Sequence, residues 1–181
     1  MTETAAPVPA SSAQRVLDRI ASFVIGLAAT ALVGLVVVQA WQVFTRYVLN
    51  DSPSWTEPVT LLLLATAMGM GAAAGVHTNR HFGFFLLHDH VRPGVRRVID
   101  VVVPLVVVAI GAVIAYWGAI LLVDGLGIRA AGANLPQSIN YLPLSLGGAL
   151  MVLFAANRLV LALTRRAEPA VAPPAPQEGD L

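Results

Sequence analysis

The sequence predicts an all-α integral membrane protein: four transmembrane helices, short loops and both termini in the cytoplasm. Three observations predict it. Of 181 residues, 57% are hydrophobic and 12% charged, with a mean hydropathy of +0.75, too little charge to clothe a water-soluble core. Four apolar stretches of membrane-spanning length carry no Asp, Glu, Lys, Arg or His in their central parts. The eleven basic residues, all Arg, gather on alternate loops.

Residues 1–14, MTETAAPVPASSAQ, are small, polar and Pro-containing, and bury too little apolar surface to offset the entropy of ordering. They read as a disordered tail, and 167–181, with four prolines and scattered acids, as another. Between them lies one membrane domain, 15–166, with spans at about 20–44, 59–76, 101–123 and 141–163. The first span follows Arg15 and Arg19, as a signal peptide would, but its apolar run exceeds the usual ~7–15 residues and no small-residue cleavage site follows, so it reads as uncleaved. Pro104 strips the Asp100 carbonyl of its helical donor, which predicts a kink or a helix start near the interface. Pro143 falls in the first turn of the last span, where a missing N–H costs little.

Nine Arg lie before span one, between spans two and three, or at and beyond the end of span four. Only Arg46 and Arg129 lie opposite. That split assigns both termini and the central loop to the cytoplasm. Intramembrane charges mark ion and proton paths, so spans without them argue against a pathway run by this chain alone. A net charge of +1 gives no reason to expect nucleic acid, and the absence of Cys excludes disulfides, thiolate metal sites and thiol nucleophiles.

Small residues recur at helix-face spacing: Gly26, Thr30 and Gly34; Ala67, Gly71 and Gly75; Gly111, Ala115 and Ala119. Such faces allow close backbone approach, either within the bundle or against a second membrane subunit. The four His, His77, His81, His88 and His90, lie in or near the central loop, and His77 and His81 are spaced to share a helix face. They read as interfacial residues or partner contacts; haem or metal ligation is the competing reading. In the loop FTRYVLNDSPSWTEPVT, Arg46 can snorkel, Tyr47 and Trp55 can anchor at the interface, and Ser54 to Glu57 reads as a capping box followed by Pro58. Arg46 and Glu57, of opposite sign on one edge, can pair with each other or with a partner.

These residues carry a resemblance. FTRYVLNDSPSWTEP followed by GMGAAAGVHTNRHFGFFLL resembles the first half of the small, DctQ-like membrane subunit of tripartite ATP-independent periplasmic (TRAP) transporters. The match runs through Phe44, Arg46, Tyr47, Ser54, Trp55, Glu57, Gly71, Ala72, Ala73 and His81. SINYLPLSLGGALM resembles the family's entry to the last helix through Tyr141, Pro143, Gly147 and Met151. Pro58, His77 and Phe84-Phe85 depart from the pattern, standing where a Glu, an Arg and Val-Asp are common.

The resemblance implies a scaffold subunit, not an enzyme, in the bacterial inner membrane. It would brace a large elevator-type permease subunit that imports organic acids, dicarboxylates or sugar acids, delivered by a periplasmic binding protein. Sodium ions are expected in that large subunit and no cofactor in this chain. Arg46, Tyr47, Trp55, Glu57, Tyr141 and Pro143 are the implied interface or docking positions on the periplasmic side, with His81 on the cytoplasmic side. A small haem-binding anchor of a redox complex is the alternative.

Overall fold

The computed structural model describes residues 12–51, 53–78, 93–132 and 135–164. They form four long helices, α1 (Ser12–Tyr47), α2 (Thr56–Thr78), α3 (Pro93–Asp124) and α4 (Leu142–Thr164), with 3-10 turns at Gly125–Gly127 and Gln137–Asn140. All four are long and apolar enough to cross a membrane.

The helices run past the expected spans. α1 begins at Ser12, so Ser12, Ala13 and Gln14 are helical rather than part of a disordered tail. Polar side chains hold this turn: Gln14 Nε2 donates to Asp18 Oδ1 at 3.3 Å, Arg15 to Ser12 Oγ at 3.4 Å, and Asn157 of α4 to Gln14 Oε1 at 3.5 Å. α3 begins at Pro93 and passes through Pro104, which is buried inside the helix and does not start it. A proline removes one hydrogen bond, and the apolar turns on either side carry the helix past it. The tails at 1–11 and 165–181 and the loop at 79–92, with His81, His88 and His90, lie outside the described residues.

Contacts run from α1 to α2, from α2 to α4 and from α4 to α3, so the spatial order is α1–α2–α4–α3. A buried cluster joins the first three of these: Ala21 and Val24 of α1, Met70, Ala73, Ala74 and Val76 of α2, Phe154 and Ala155 of α4. Ala73 and Ala155 are 0% exposed and Phe154 is 1% exposed, so the cluster holds one fully buried ring among smaller aliphatic side chains.

Glycines set the tightest approaches. A Cβ on Gly69 of α2 would lie 2.8 Å from the Pro143 carbonyl oxygen, and one on Gly147 of α4 would lie 2.8 Å from the Gly69 backbone. Between α3 and α4, a Cβ on Gly148 would meet Ala115 N at 2.6 Å, and one on Gly111 would meet the Gly148 carbonyl at 3.0 Å. Here backbone packs on backbone, the geometry that holds helices together where lipid is as apolar as Leu. The Gly111–Ala115 face is thus used inside the fold. Gly34 faces only the Leu63 side chain, while a Cβ on Gly26 or Gly71 would meet nothing within 4 Å.

Candidate functional site

The α1–α2 loop and the α3–α4 connection meet at one end of the helices. Asn50 takes a left-handed φ of 56°, which Asn tolerates, and turns the chain after α1 so that Asp51 N–H reaches back to the Thr45 carbonyl at 3.1 Å. Thr56, fully buried, donates its hydroxyl to the Pro53 carbonyl at 2.7 Å and starts α2. Glu57 therefore sits in the first turn, where a carboxylate suits the helix dipole.

Ser54 does not close the expected capping box. Its hydroxyl donates to the Gly132 carbonyl at 3.0 Å, across 78 residues. Gly132 belongs to a small hairpin in which Ala130 N–H bonds Leu135 O and Gln137 N–H bonds Ile128 O, both at 2.8 Å. Gly132 has φ +82°, and a Cβ there would overlap the Ser54 carbonyl, so only glycine fits both the turn and the contact. The two loops form one latched surface.

Of the seven docking residues expected from sequence, four lie in or beside the α1–α2 loop and two at the entry to α4. Arg46, Tyr47, Trp55 and Glu57 are exposed, Tyr47 at 79%. Tyr141 is half-buried and its hydroxyl accepts from Gln137 Nε2 at 3.2 Å; Pro143 is buried against Gly69. Tyr141 and Pro143 are thus built into the fold, whereas the other four face outward. No ion pair joins Arg46 to Glu57, and neither has a partner among the described residues. The seventh, His81, is outside the described residues.

The opposite end holds a polar seam. His77 Nε2 lies 2.8 Å from Asp18 Oδ1, and the His77 ring packs on Phe154 with centroids 4.8 Å apart. Arg158 of α4 donates to the Val76 carbonyl at 3.2 Å, and the Asp100 charge of α3 acts on it. His77 is therefore a tie between α1, α2 and α4. Among the described residues no group of three or more His, Cys, Asp or Glu is placed to hold a metal.

The family model for the DctQ component of tripartite ATP-independent periplasmic transporters matches residues 35–165, from the middle of α1 to the end of α4. The chain belongs to the DctQ family. No curated protein matches it. As a DctQ chain with four apolar helices of spanning length, it is a multi-pass membrane protein and a small component of a TRAP transporter. DctQ is a family of transporter components, not of enzymes, and does not favour the redox-anchor alternative.

Three features of this DctQ chain are not evident from its sequence. The Gly69–Gly147 contact was foreshadowed only by the glycine doublet at 147 and 148. The Ser54–Gly132 latch had as its signal only a glycine in a polar turn. The Asp18–His77 tie spans 59 residues and no local pattern announces it.

Proposed function

We propose that this DctQ chain is the fixed scaffold of a sodium-coupled, binding-protein-dependent importer of organic acids, of the dicarboxylate or sugar-acid class, in the bacterial inner membrane. It braces a large elevator-type subunit and carries no substrate. Sodium ions bind in that large subunit, the latched end of this chain faces the periplasm, and both termini face the cytoplasm. One observation carries the reading: α2, α3 and α4 are closed on each other by backbone contact, yet the outer helices α1 and α3 leave most of their residues exposed. Gly69 meets Gly147 and Gly111 meets Gly148 with no room for a side chain. In the most apolar window of each helix only 17%, 22%, 11% and 22% of residues, from α1 to α4, are buried. Such a molecule offers surface rather than a passage, in keeping with spans whose centres lack Asp, Glu, Lys, Arg and His.

Arg46, Tyr47, Trp55 and Glu57, exposed at the latched end, are the proposed contacts to the large subunit or to the docked binding protein. Deleting the chain from a strain that depends on the importer is expected to abolish uptake while the large subunit is still made; full uptake without it would overturn the reading. Arg46→Ala and Glu57→Ala are expected to lower uptake and co-purification with the large subunit together.

A further inference from the structure

The outward face of α1 near the latched end is apolar: Val36 is 64% exposed, Val43 56%, Phe44 45% and Tyr47 79%. Two polar side chains interrupt it along one edge, Gln39 and Arg46, seven residues apart and so on one stripe of the helix about 10 Å apart. Gln39 lies within the apolar span, about 8 Å of helix rise before Phe44. Its Oε1 accepts from Thr60 Oγ1 of α2 at 3.1 Å, which places this edge at the α1–α2 seam. Its amide N–H₂ has no acceptor among the described residues, nor has the Arg46 guanidinium. Donors left unmade in hydrocarbon are costly, and lipid tails supply no acceptor.

We infer that this edge of α1 is the seat of a transmembrane helix of the large subunit, which presents a carbonyl, hydroxyl or amide oxygen opposite Gln39 and a carboxylate or helix-end carbonyls opposite Arg46. The inference rests on the scaffold reading and locates its interface. A headgroup phosphate can reach Arg46 at the membrane edge but not Gln39, roughly two helical turns deeper. A second copy of this chain brings Arg46 against Arg46 only where the two-fold axis runs along this edge, and the cross-linking below separates that case from a partner helix. A partner helix of complementary polarity satisfies both groups.

The chain has no native Cys, so single cysteines can be placed at will. In the complex co-expressed with its large subunit, a thiol-directed photo-cross-linker on Val36→Cys or Val43→Cys is expected to yield an adduct of this chain with the large subunit. The same probe on Val113→Cys, on the exposed face of α3, is expected to yield none. Gln39→Leu, which makes the isolated helix more apolar, is expected to lower recovery of the large subunit about three- to tenfold. Adducts from Val113 alone, homodimeric adducts from the α1 positions, or unchanged recovery with Gln39→Leu would each overturn the inference while leaving the scaffold reading intact. Failure of the unmodified chain to co-purify with the large subunit would overturn the scaffold reading.

Discussion

At Gly147 the missing side chain is a packing requirement. A Cβ would lie 2.8 Å from the Gly69 backbone, and backbone cannot move aside as a flexible side chain can. Gly147→Ala is expected to destabilise the fold by about 1–3 kcal/mol, the usual cost of overpacking. Gly26→Ala, which meets nothing within 4 Å, is expected to be neutral or slightly stabilising because alanine favours the helix. Thermal unfolding in one detergent, both variants side by side, checks the contrast; equal losses would show that the α2–α4 approach is looser than the structure has it. His77 is a second case. Its contact with Asp18 is half in solvent, Asp18 being 53% exposed, so Asp18→Ala is expected to cost less than about 1 kcal/mol. His77→Ala also removes the ring packed on Phe154 and is expected to cost more; His77→Phe should restore most of the difference.

Among elements, the hairpin carries the clearest dependence on its neighbours. It joins α3 to α4, yet its turn is held by the loop between α1 and α2 through one hydroxyl and one glycine. Ser54→Ala removes a single exposed hydrogen bond and should cost about 1 kcal/mol or less. Gly132→Ala forces a Cβ into a left-handed turn and onto the Ser54 backbone at once, and is expected to unlatch the two loops. Amide exchange at Ala130 and Gln137, whose N–H groups close the hairpin, reads both outcomes: little change for the serine variant and a large loss of protection for the glycine variant.

For the whole molecule, the order α1–α2–α4–α3 puts α1 and α3 on the outside, each covered by the chain on one side. α3 is the least buried, at 11% of its most apolar window. The isolated protein is therefore expected to be less stable in detergent than in complex, since binding to the folded form stabilises it by mass action. The proposed orientation has its own test. In intact spheroplasts, an impermeant thiol reagent is expected to label Asp51→Cys at the latched end and to spare Ser12→Cys at the start of α1. The reverse pattern would invert the topology.

Much of this was legible in the sequence. Apolar run length fixed the number of spans, because ~20 residues cross the hydrocarbon whatever the neighbours are. Pro143 lies in the first turn of α4 as expected, because the rule it obeys is local. The ordered set of motifs from Phe44 through His81 to Met151 pointed to DctQ, though no one of them is specific alone. Helix ends were less legible: residues 12–14 are helical, and Gln14 there bonds Asp18 of its own helix and Asn157 of α4, the second a contact no local pattern announces. Among the small-residue faces, spacing alone treated Gly26, Gly71 and Gly111 alike, and only the arrangement of helices gave Gly111 a backbone to meet. Likewise Ser54 had a local use as a cap and took a distant one. The sequence by itself determined what depends on the solvent, namely how many helices cross and how apolar they are. Tertiary structure decided what depends on a partner far along the chain, because a glycine contact, a loop latch or an Asp–His tie has no energy until the helices stand side by side.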